Sequence, residues 1–481
     1  MFAALLGSLH VAPATASGSF SLPFDSAASA GRGFAGLGAD TEDPSALLVN
    51  PAASAWQTEL RTVGGFHLAA YATRFRGEAR RAATDDSRVD GGNGGNPGRL
   101  DLPLPELVAV RPLGERWHAG LRLNAPYGIT LRYDPDWTGR YHAIDTIVRG
   151  IEFAPSVSFR VHDDWSIGGA VIVQQFIAEF SNDVDLGAVI QRQATAEAGA
   201  DITTPACAAA GVPSLPGKYD FRNAFEIAQP GIGWQFGSLW RWSADGAIGI
   251  DYRAPITHRL DGRAERRRDG WTAQQLRDDP CLAPVELALT LQGRSFEQTV
   301  VQPALRSSEP TGFTSLFTIP ESLAIHWMNR VGALTLSAGA RWTRWEAIDS
   351  IRFRFDNGAP PVTEPLRFES SLRVTGGLAW QAADRWTLRA GVAYETSTVD
   401  NDTRTARAPD GHRAVFTAGL GYRLAPAWHI DAAAGYLRTG SRPVSDLATA
   451  SGSGNRLDGR YDALRLGYVS GRLIWTPGAN E

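Results

Sequence analysis

A repeating pattern of apolar and polar positions runs through most of this 481-residue chain. It is clearest in residues 386–394, where Trp386, Leu388, Val392 and Tyr394 alternate with small or polar residues. Related runs begin at three other positions: Trp165, Leu334 and Trp428. Alternation with a period of two predicts β-strands that have one apolar and one polar face.

Fourteen such segments follow one another along the chain. They cover residues 60–76, 101–113, 116–132, 147–162, 164–181, 220–238, 242–266, 313–332, 334–357, 366–382, 385–404, 410–425, 427–441 and 459–475. A single-chain bacterial barrel has an even number of strands. The pattern therefore favours an all-β protein, a 14-stranded antiparallel transmembrane β-barrel.

The connections alternate in length. Tight turns fall at 113–116, 162–164, 382–384 and 424–426, and long links cover 77–100, 133–146, 182–219, 267–312 and 442–458. Outer-membrane barrels have short periplasmic turns and longer outer loops. The tryptophans follow the short turns, so we expect them to form a periplasmic aromatic girdle. A soluble sandwich would explain the alternation but not this asymmetry, and we expect the outer membrane of a Gram-negative bacterium.

Composition is compatible with that prediction. The net charge of −4 gives no reason to expect nucleic-acid binding. The mean hydropathy of −0.19 resembles that of a soluble protein, but only alternate residues of a barrel strand face lipid. No apolar run is long enough for a transmembrane helix.

The first residues predict export. Residues 1–16 resemble a signal peptide, with an apolar core at 1–11 and a small-residue cleavage site at 14–16. No basic region precedes the apolar core, and a truncated start is one explanation. Cys207 and Cys281 lie in two long links, where an oxidising compartment would allow a disulfide; the alternative is two unpaired thiols.

No motif supplies catalytic or cofactor chemistry. Residues 31–36 match a dinucleotide-binding fingerprint by letter but follow no strand and open no βαβ unit. There is no Gly-x-Ser-x-Gly motif, and the histidines lack metal-ligand spacing. We therefore expect neither an enzyme nor a cofactor or metal site, which disfavours an outer-membrane lipase or protease.

Several motifs occur together in one order. They are residues 26–36, 40–45, 50–52, 124–128 with 136–141, 155–157 with 164–168, 319–322 with 342–345, 386–391 and 409–413. This arrangement resembles the FadL family of outer-membrane transporters for long-chain fatty acids, which includes the TodX-like carriers of aromatic hydrocarbons. The resemblance spans nearly the whole mature chain.

The resemblance implies an N-terminal hatch, or plug, inside the barrel. Residues 17–58 would be the hatch and 59–481 the barrel with its long outer loops. A segment rich in Gly, Ala and Ser can pack inside a narrow lumen. Asn50, Pro51 and Ala52 would form a rigid turn in the hatch, because proline fixes φ and asparagine bonds local backbone. The alternative is a surface turn before the first strand.

The resemblance also implies a side opening in the third strand. It would lie near Asn124, Ala125 and Pro126, since a proline removes a donor from the strand ladder. Alternatively, Pro126 ends the strand.

The expected ligand is a hydrophobic small molecule. Phe20, Leu22 and Phe24 of the hatch could touch it, and Arg140 or Arg413 could pair with a carboxylate. Both arginines could equally form salt bridges within the lumen. A loop helix over residues 184–198 and the loop 267–312 could supply a capture groove. Outer-membrane lipid and lipopolysaccharide are the other expected partners, and a monomer is expected.

The predicted function is passive uptake of fatty acids or other hydrophobic molecules through a loop groove and lumenal pocket, with hatch movement and lateral release. Two alternatives are an uptake channel for aromatic hydrocarbons and a non-selective porin. A porin needs a water-filled lumen, which a plug of about forty residues would obstruct.

Overall fold

The structure is a computed structural model that describes residues 21–97, 103–359, 361–447 and 453–478. The predicted signal peptide and Phe20 lie outside these ranges. The boundaries predicted for signal peptide, hatch and barrel stay predictions.

Strands make up most of the described chain. They are β1 (Arg61–Ala72), β2 (Phe75–Arg80), β3 (Leu104–Pro112), β4 (Trp117–Arg132), β5 (Asp145–Arg160), β6 (Trp165–Val184), β7 (Phe221–Arg241), β8 (Gly246–Arg253), β9 (Ile256–Arg268), β10 (Thr311–Ile319), β11 (Ser322–Val331), β12 (Leu334–Thr343), β13 (Ser350–Phe355), β14 (Val362–Pro365), β15 (Ser371–Ala383), β16 (Trp386–Glu395), β17 (Arg413–Ala425), β18 (Trp428–Thr439), β19 (Arg442–Leu447), β20 (Arg456–Tyr461) and β21 (Arg465–Trp475).

Eighteen of these strands form one sheet that closes on itself. Closure is made by β1, which pairs antiparallel with β21 on one side and β3 on the other. The segments β8 and β9, β10 and β11, β12 and β13, and β14 and β15 each continue one barrel strand, so the described residues form fourteen barrel strands. The predicted 14-stranded antiparallel barrel is confirmed.

The two faces of the wall differ as the alternation predicts. Outward apolar side chains are exposed, and Ile232 shows 72% of its surface. Inward charged side chains such as Glu152 and Asp431 are completely buried. At the short turns, aromatic residues lie opposite each other in register: Trp165 and Trp240, Trp386 and Tyr422, and Trp428 and Trp475. A girdle of aromatic pairs therefore surrounds this end.

The hatch lies inside the barrel. It contains α1 (Ala27–Gly31) and three 3-10 helices, Leu37–Ala39, Pro44–Leu48 and Pro51–Trp56. Ser26, Asp43 and Asn50 cap the helices that follow them by accepting backbone N–H bonds. The last 3-10 helix packs on β4 to β8, and α1 packs on β16, β17, β18 and β21. The fold therefore has its N-terminal segment in the lumen.

The long links form an outer cap. One part is a three-stranded sheet of β2, β20 and β19. The other part contains α2 (Leu186–Ala198), α3 (Thr203–Ala209), α4 (Ala273–Arg277), α5 (Ala283–Leu291) and α6 (Gln302–Ser307), with a 3-10 helix at Pro280–Leu282 and a π-helix at Glu297–Val301. A further 3-10 helix, Trp345–Ala347, lies before β13. No helix in the described ranges is long and apolar enough to cross a membrane.

Candidate functional site

The hatch is seated on the wall where the wall has glycines. The amide nitrogen of Asn50 donates to the carbonyl oxygens of Gly38 (2.8 Å) and Ser238 (3.2 Å), and its Oδ1 accepts the N–H of Ala52 (3.0 Å). A Cβ added at Gly237 would overlap Asn50 Oδ1. Only a wall without a side chain at this point lets the asparagine reach the ladder.

Pro51 and Ala52 lie on the same seat. A Cβ at Gly168, which is opposite Gly237 in register, would come within 2.6 Å of the Pro51 carbonyl carbon and the Ala52 nitrogen. The predicted turn at residues 50–52 is the capped start of the 3-10 helix Pro51–Trp56. The three residues are thus buried against the barrel, not exposed before the first strand.

A second seat lies at β15 to β17. The hydroxyl of Thr417 donates to the Gly31 carbonyl (3.1 Å) and accepts the Gly33 N–H (2.9 Å). A Cβ at Gly31 would come within 2.8 Å of the Gly419 Cα. The two seats hold the hatch from different sides of the lumen.

Buried ion pairs add to this attachment. Arg472 of β21 donates to both carboxylate oxygens of Asp43 in the hatch (2.7 and 2.8 Å) and to Asp431 of β18 (2.8 Å). Breaking a buried pair from one side leaves an uncompensated charge, which costs about 3–5 kcal/mol. The hatch core is therefore strongly held.

The third barrel strand, β4, contains the predicted gate residues and an irregularity. Its register with β5 pairs Asn124 with Glu152 and then Tyr127 with Gly150, so Ala125 and Pro126 oppose a single residue. One extra residue on one strand is a β-bulge, which bends the strand. The strand continues to Arg132, so it does not end at Pro126.

The N-terminal segment pairs with this bulge from inside. Leu22 donates its backbone N–H to the Pro126 carbonyl oxygen (2.9 Å), and Ser21 forms an isolated antiparallel bridge with Tyr127. The register of β3 with β4 ends at Asn124. The start of the hatch therefore covers the bulge in β4 from inside the barrel.

Phe24 makes a further contact between the hatch and the wall. Its ring centroid is 5.0 Å from that of Tyr468, 5.5 Å from that of His67 and 6.2 Å from that of Phe34. The ring is 3% exposed. Phe24 thus joins the hatch to the wall through aromatic packing.

Above the hatch is a cavity of about 590 Å³, within the size range of ligand pockets. Six phenylalanines line it: Phe180, Phe221, Phe225, Phe353, Phe355 and Phe368. The Phe225 and Phe353 rings stack with centroids 4.8 Å apart. Val184, Leu186 and Val189, at the start of α2 and just before it, complete an apolar side.

A polar strip crosses this apolar wall. Asn182, Asn223 and Arg266 are register neighbours on β6, β7 and β9. The Asn223 amide oxygen accepts from Arg266 Nε (3.3 Å), and the Asn182 amide oxygen accepts from Arg407 Nη2 (3.0 Å). Arg266 Nη1 is buried and has no hydrogen-bond partner among the described residues. Within the same ranges Arg266 forms no ion pair, and its guanidinium lies 4.3 Å from the Phe355 ring centroid.

The two predicted carboxylate-binding arginines lie elsewhere. Arg140 donates to the Asp90 carbonyl oxygen (2.6 Å) and lies over the Tyr141 ring. Arg413 is 2% exposed and lies 3.5 Å from Glu395. Neither arginine lines the cavity, and neither do Leu22 and Phe24. Their ligand-binding roles stay predictions.

Arg266 could have been found from the alternation alone. In β9 the inward residues Ile256, His258 and Leu260 are almost fully buried, and Arg266 has the same parity. Arg140 and Arg413 were predicted from motifs and not from strand phase.

One carboxyl group beside the cavity has a shifted pKa. Tyr141, which lines the cavity, donates its hydroxyl to Asp220 (2.6 Å) in the link before β7. Burial, and then the charge of Asp185, raise the pKa of Asp220 to about 7. Asp185 caps α2 and accepts from Arg81 Nε (3.1 Å).

The outer helices form one apolar cluster joined by a disulfide between Cys207 and Cys281. The bridge closes a separation of 74 residues. Leu186 and Ile190 of α2 pack in this cluster with Leu276, Leu282 and Leu289. The two long links therefore cover the barrel mouth as one packed unit.

A closed barrel with an apolar outer band, a lumenal plug and an apolar cavity defines an outer-membrane transport protein for hydrophobic compounds. The model of the family described as outer membrane protein transport protein (OMPP1/FadL/TodX) matches residues 8–469. The chain belongs to this family, whose members are transporters and not enzymes. The predicted family and the outer-membrane location are confirmed.

Two relatives show how similar this sequence is to those of other proteins. Outer membrane protein P1 of Haemophilus influenzae is 22% identical over 437 residues, covering 87% of this chain and 85% of that protein. A long-chain fatty acid transport protein of Escherichia coli is 22% identical over 338 residues, covering 69% of each.

Solved structures show the same fold. A FadL homologue of Pseudomonas aeruginosa superposes with a TM-score of 0.78 at 24% identity, covering 95% of this chain and all of that one. The toluene transporter TodX of Pseudomonas putida gives a TM-score of 0.59 at 15% identity, covering 94% and 98%.

Proposed function

We propose that this chain takes up long-chain fatty acids, binding the acyl chain in the phenylalanine-lined cavity and the carboxylate at Arg266. The observation that carries the proposal is the guanidinium of Arg266, which lies against the phenylalanine-lined side of the cavity without a carboxylate partner among the described residues. A buried charge is costly unless it is paired. A fatty-acid carboxylate would pair it, since a guanidinium binds two carboxylate oxygens side by side.

Binding needs no energy source. Each methylene that leaves water for an apolar site gains about 0.8 kcal/mol. An acyl chain therefore concentrates in the cavity from a dilute outside solution.

Release would occur sideways through the wall at the bulge, beside Ala125 and Pro126. The hatch core is held by Arg472, Asn50 and Thr417, whereas residues 21–22 contact the bulge through one backbone hydrogen bond and one bridge. Moving the first hatch residues is therefore cheaper than moving the hatch core. Ligand would shift the equilibrium towards the open state because it binds that state more tightly than the closed state.

Three other roles are less well supported. A neutral aromatic hydrocarbon would leave the half-buried guanidinium of Arg266 without a counter-ion and its Nη1 without an acceptor. A porin needs an open lumen, which the hatch fills between its two seats. The described residues bring together no catalytic group set, and we propose that the chain is no enzyme. We also propose that it acts as a monomer whose outer surface contacts lipid and lipopolysaccharide.

The test compares two arginines of the same strand. Arg266→Gln removes the inward charge, and Arg263→Gln removes an exposed charge paired with Glu265 (2.6 Å). Oleate binding to purified protein should weaken about tenfold or more in Arg266→Gln and stay unchanged in Arg263→Gln, because charged hydrogen bonds contribute about 1.5–3 kcal/mol. The affinity for the neutral hydrocarbon 1-octadecene should be the same in the Arg266→Gln and Arg263→Gln variants. Unchanged oleate affinity in Arg266→Gln would refute the assignment.

A further inference from the structure

The cavity has a second set of unpaired polar atoms, away from Arg266. His142 and Thr146 both line it and are 7% and 0% exposed. The Nε2 atom of His142 and the Oγ1 atom of Thr146 are buried and have no hydrogen-bond partner in the described parts of the chain. Leaving a buried polar atom unpaired costs about 1–3 kcal/mol, so two such atoms on one cavity wall indicate that something else bonds them.

The hydrogen bonding of His142 defines what that group is. Its Nδ1 lies 3.0 Å from Asp446 Oδ2, and a carboxylate accepts from an N–H. In the neutral imidazole this places the proton on Nδ1 and leaves Nε2 as an acceptor. The Thr146 hydroxyl can donate as well as accept. A ligand hydroxyl satisfies both, because it donates to His142 Nε2 and accepts from Thr146.

The acidic groups around this point disfavour a carboxylate head beside His142. Glu364, Asp446 and Asp402 line the same cavity, together with Arg404 and Arg407. Arg404 already donates to the Asp410 carbonyl oxygen (2.8 Å), and Arg407 donates to Asn182. An anion beside His142 would face the carboxylates of Asp446 and Glu364. A neutral hydroxyl meets no such repulsion.

The register places the two polar points apart along the wall. Thr146 of β5 is opposite Phe180 of β6, which is opposite Phe225 of β7. Arg266 lies on β9, the next strand beyond β7. Strands are about 4.8 Å apart, so three strand spacings place Thr146 and Arg266 about 14 Å apart across the strands, and Arg266 is two residues further along β9 than Ala264, which is opposite Phe225. Between them the wall is formed by the Phe180 and Phe225 rings.

We propose that the cavity selects long-chain carboxylic acids that carry a hydroxyl group along the chain. The carboxylate binds Arg266, the intervening methylenes lie on Phe225 and Phe180, and the hydroxyl bonds His142 and Thr146. The inference rests on the proposed function, because it uses the same cavity and the same Arg266 anchor. It adds that an unsubstituted fatty acid leaves the second polar point without a ligand partner.

The test uses purified full-length protein and two probes, 12-hydroxystearate and stearate. The wild type should bind 12-hydroxystearate about threefold to tenfold more tightly per hydrogen bond gained. Thr146→Val keeps the shape and removes the hydroxyl, and His142→Phe removes the acceptor. Each should reduce the ratio of the two dissociation constants towards one.

Thr405→Val is the matched control. Thr405 also lines the cavity, but its hydroxyl already accepts the Ala408 N–H (3.2 Å), so the ratio of the two constants should not change. Equal wild-type affinity for the two acids would overturn the inference, and so would a ratio unaffected by Thr146→Val and His142→Phe. Water alone would then satisfy both atoms.

The two proposals fail differently. If stearate binding depends on Arg266 but shows no hydroxyl preference, only the hydroxyl inference is overturned. If neither acid responds to Arg266→Gln, the proposed function fails as well.

Discussion

The backbone N–H of Leu22 donates to the carbonyl oxygen of Pro126 over 2.9 Å, which joins the start of the hatch to the bulge in β4. The adjacent Ser21–Tyr127 bridge extends this pairing. Residues 21–22 thus pair with β4 at its bulge. A backbone bond of this kind contributes about 0.5–1.5 kcal/mol, which is small enough for ligand binding to offset.

The close contact between Gly237 of the wall and Asn50 of the hatch gives a testable prediction. Gly237→Ala places a Cβ against Asn50 Oδ1, whereas Gly169→Ala on β6 meets nothing closer than 3.8 Å. Overpacking typically costs about 1–3 kcal/mol. We expect Gly237→Ala to displace the hatch, raise single-channel conductance in planar bilayers and lower oleate uptake.

Both alanine variants should still form heat-modifiable barrels, because the strand ladder is untouched. Gly169→Ala should conduct and transport like the wild type. If the two variants behave alike, the close fit of Asn50 to the wall does not hold the hatch.

Strand phase made the barrel predictable. The segment expected at 164–181 is β6, Trp165–Val184, and the break expected at Pro126 is a bulge within β4. The cavity was not predictable in the same way, because Phe180, Phe225 and Phe353 meet only after the barrel closes. The helical cap adds α2 above them, and its contacts depend on packing between distant links.

The disulfide makes a prediction about the cap. Replacing Cys207 and Cys281 with serine should loosen the apolar cluster around α2 to α6, since removing a bridge typically costs about 2–4 kcal/mol. Limited trypsin digestion should then cut the links 185–220 and 269–310 faster, while the barrel keeps its gel mobility. In the wild type, thiol labelling should appear only after reduction; equal labelling without reductant would contradict the bridge.

The raised pKa of Asp220 predicts how the stability of the outer cap depends on pH. Its pKa is about 7 in the folded cap, above the ordinary value of 3.8. The folded state therefore binds the proton more tightly, and the free energy of cap unfolding should fall as pH rises from about 4 to about 7 and level off above that. The protection factors of the α2 amides, which correct exchange rates for the intrinsic effect of pH, should be larger at pH 5 than at pH 8.

Asp220→Asn should remove most of this pH dependence, because a neutral amide replaces the titrating carboxyl group. Asp278→Asn, at an exposed cap position, serves as the control and should leave the pH profile unchanged. A profile that is the same in wild type and Asp220→Asn would show that another group is responsible.

We propose that ligand leaves the barrel between the hatch start and β4. Ser21→Cys combined with Tyr127→Cys tests it directly, because opposed antiparallel residues have Cα separations of about 4.5–5.5 Å, within the range of disulfides. Single-cysteine variants and reductant-treated wild type control for labelling and for the Cys207–Cys281 bridge. We predict that the oxidised double variant still binds oleate but no longer delivers it into cells, and that reduction restores uptake. Normal uptake with the cross-link fully formed would contradict lateral release at this point.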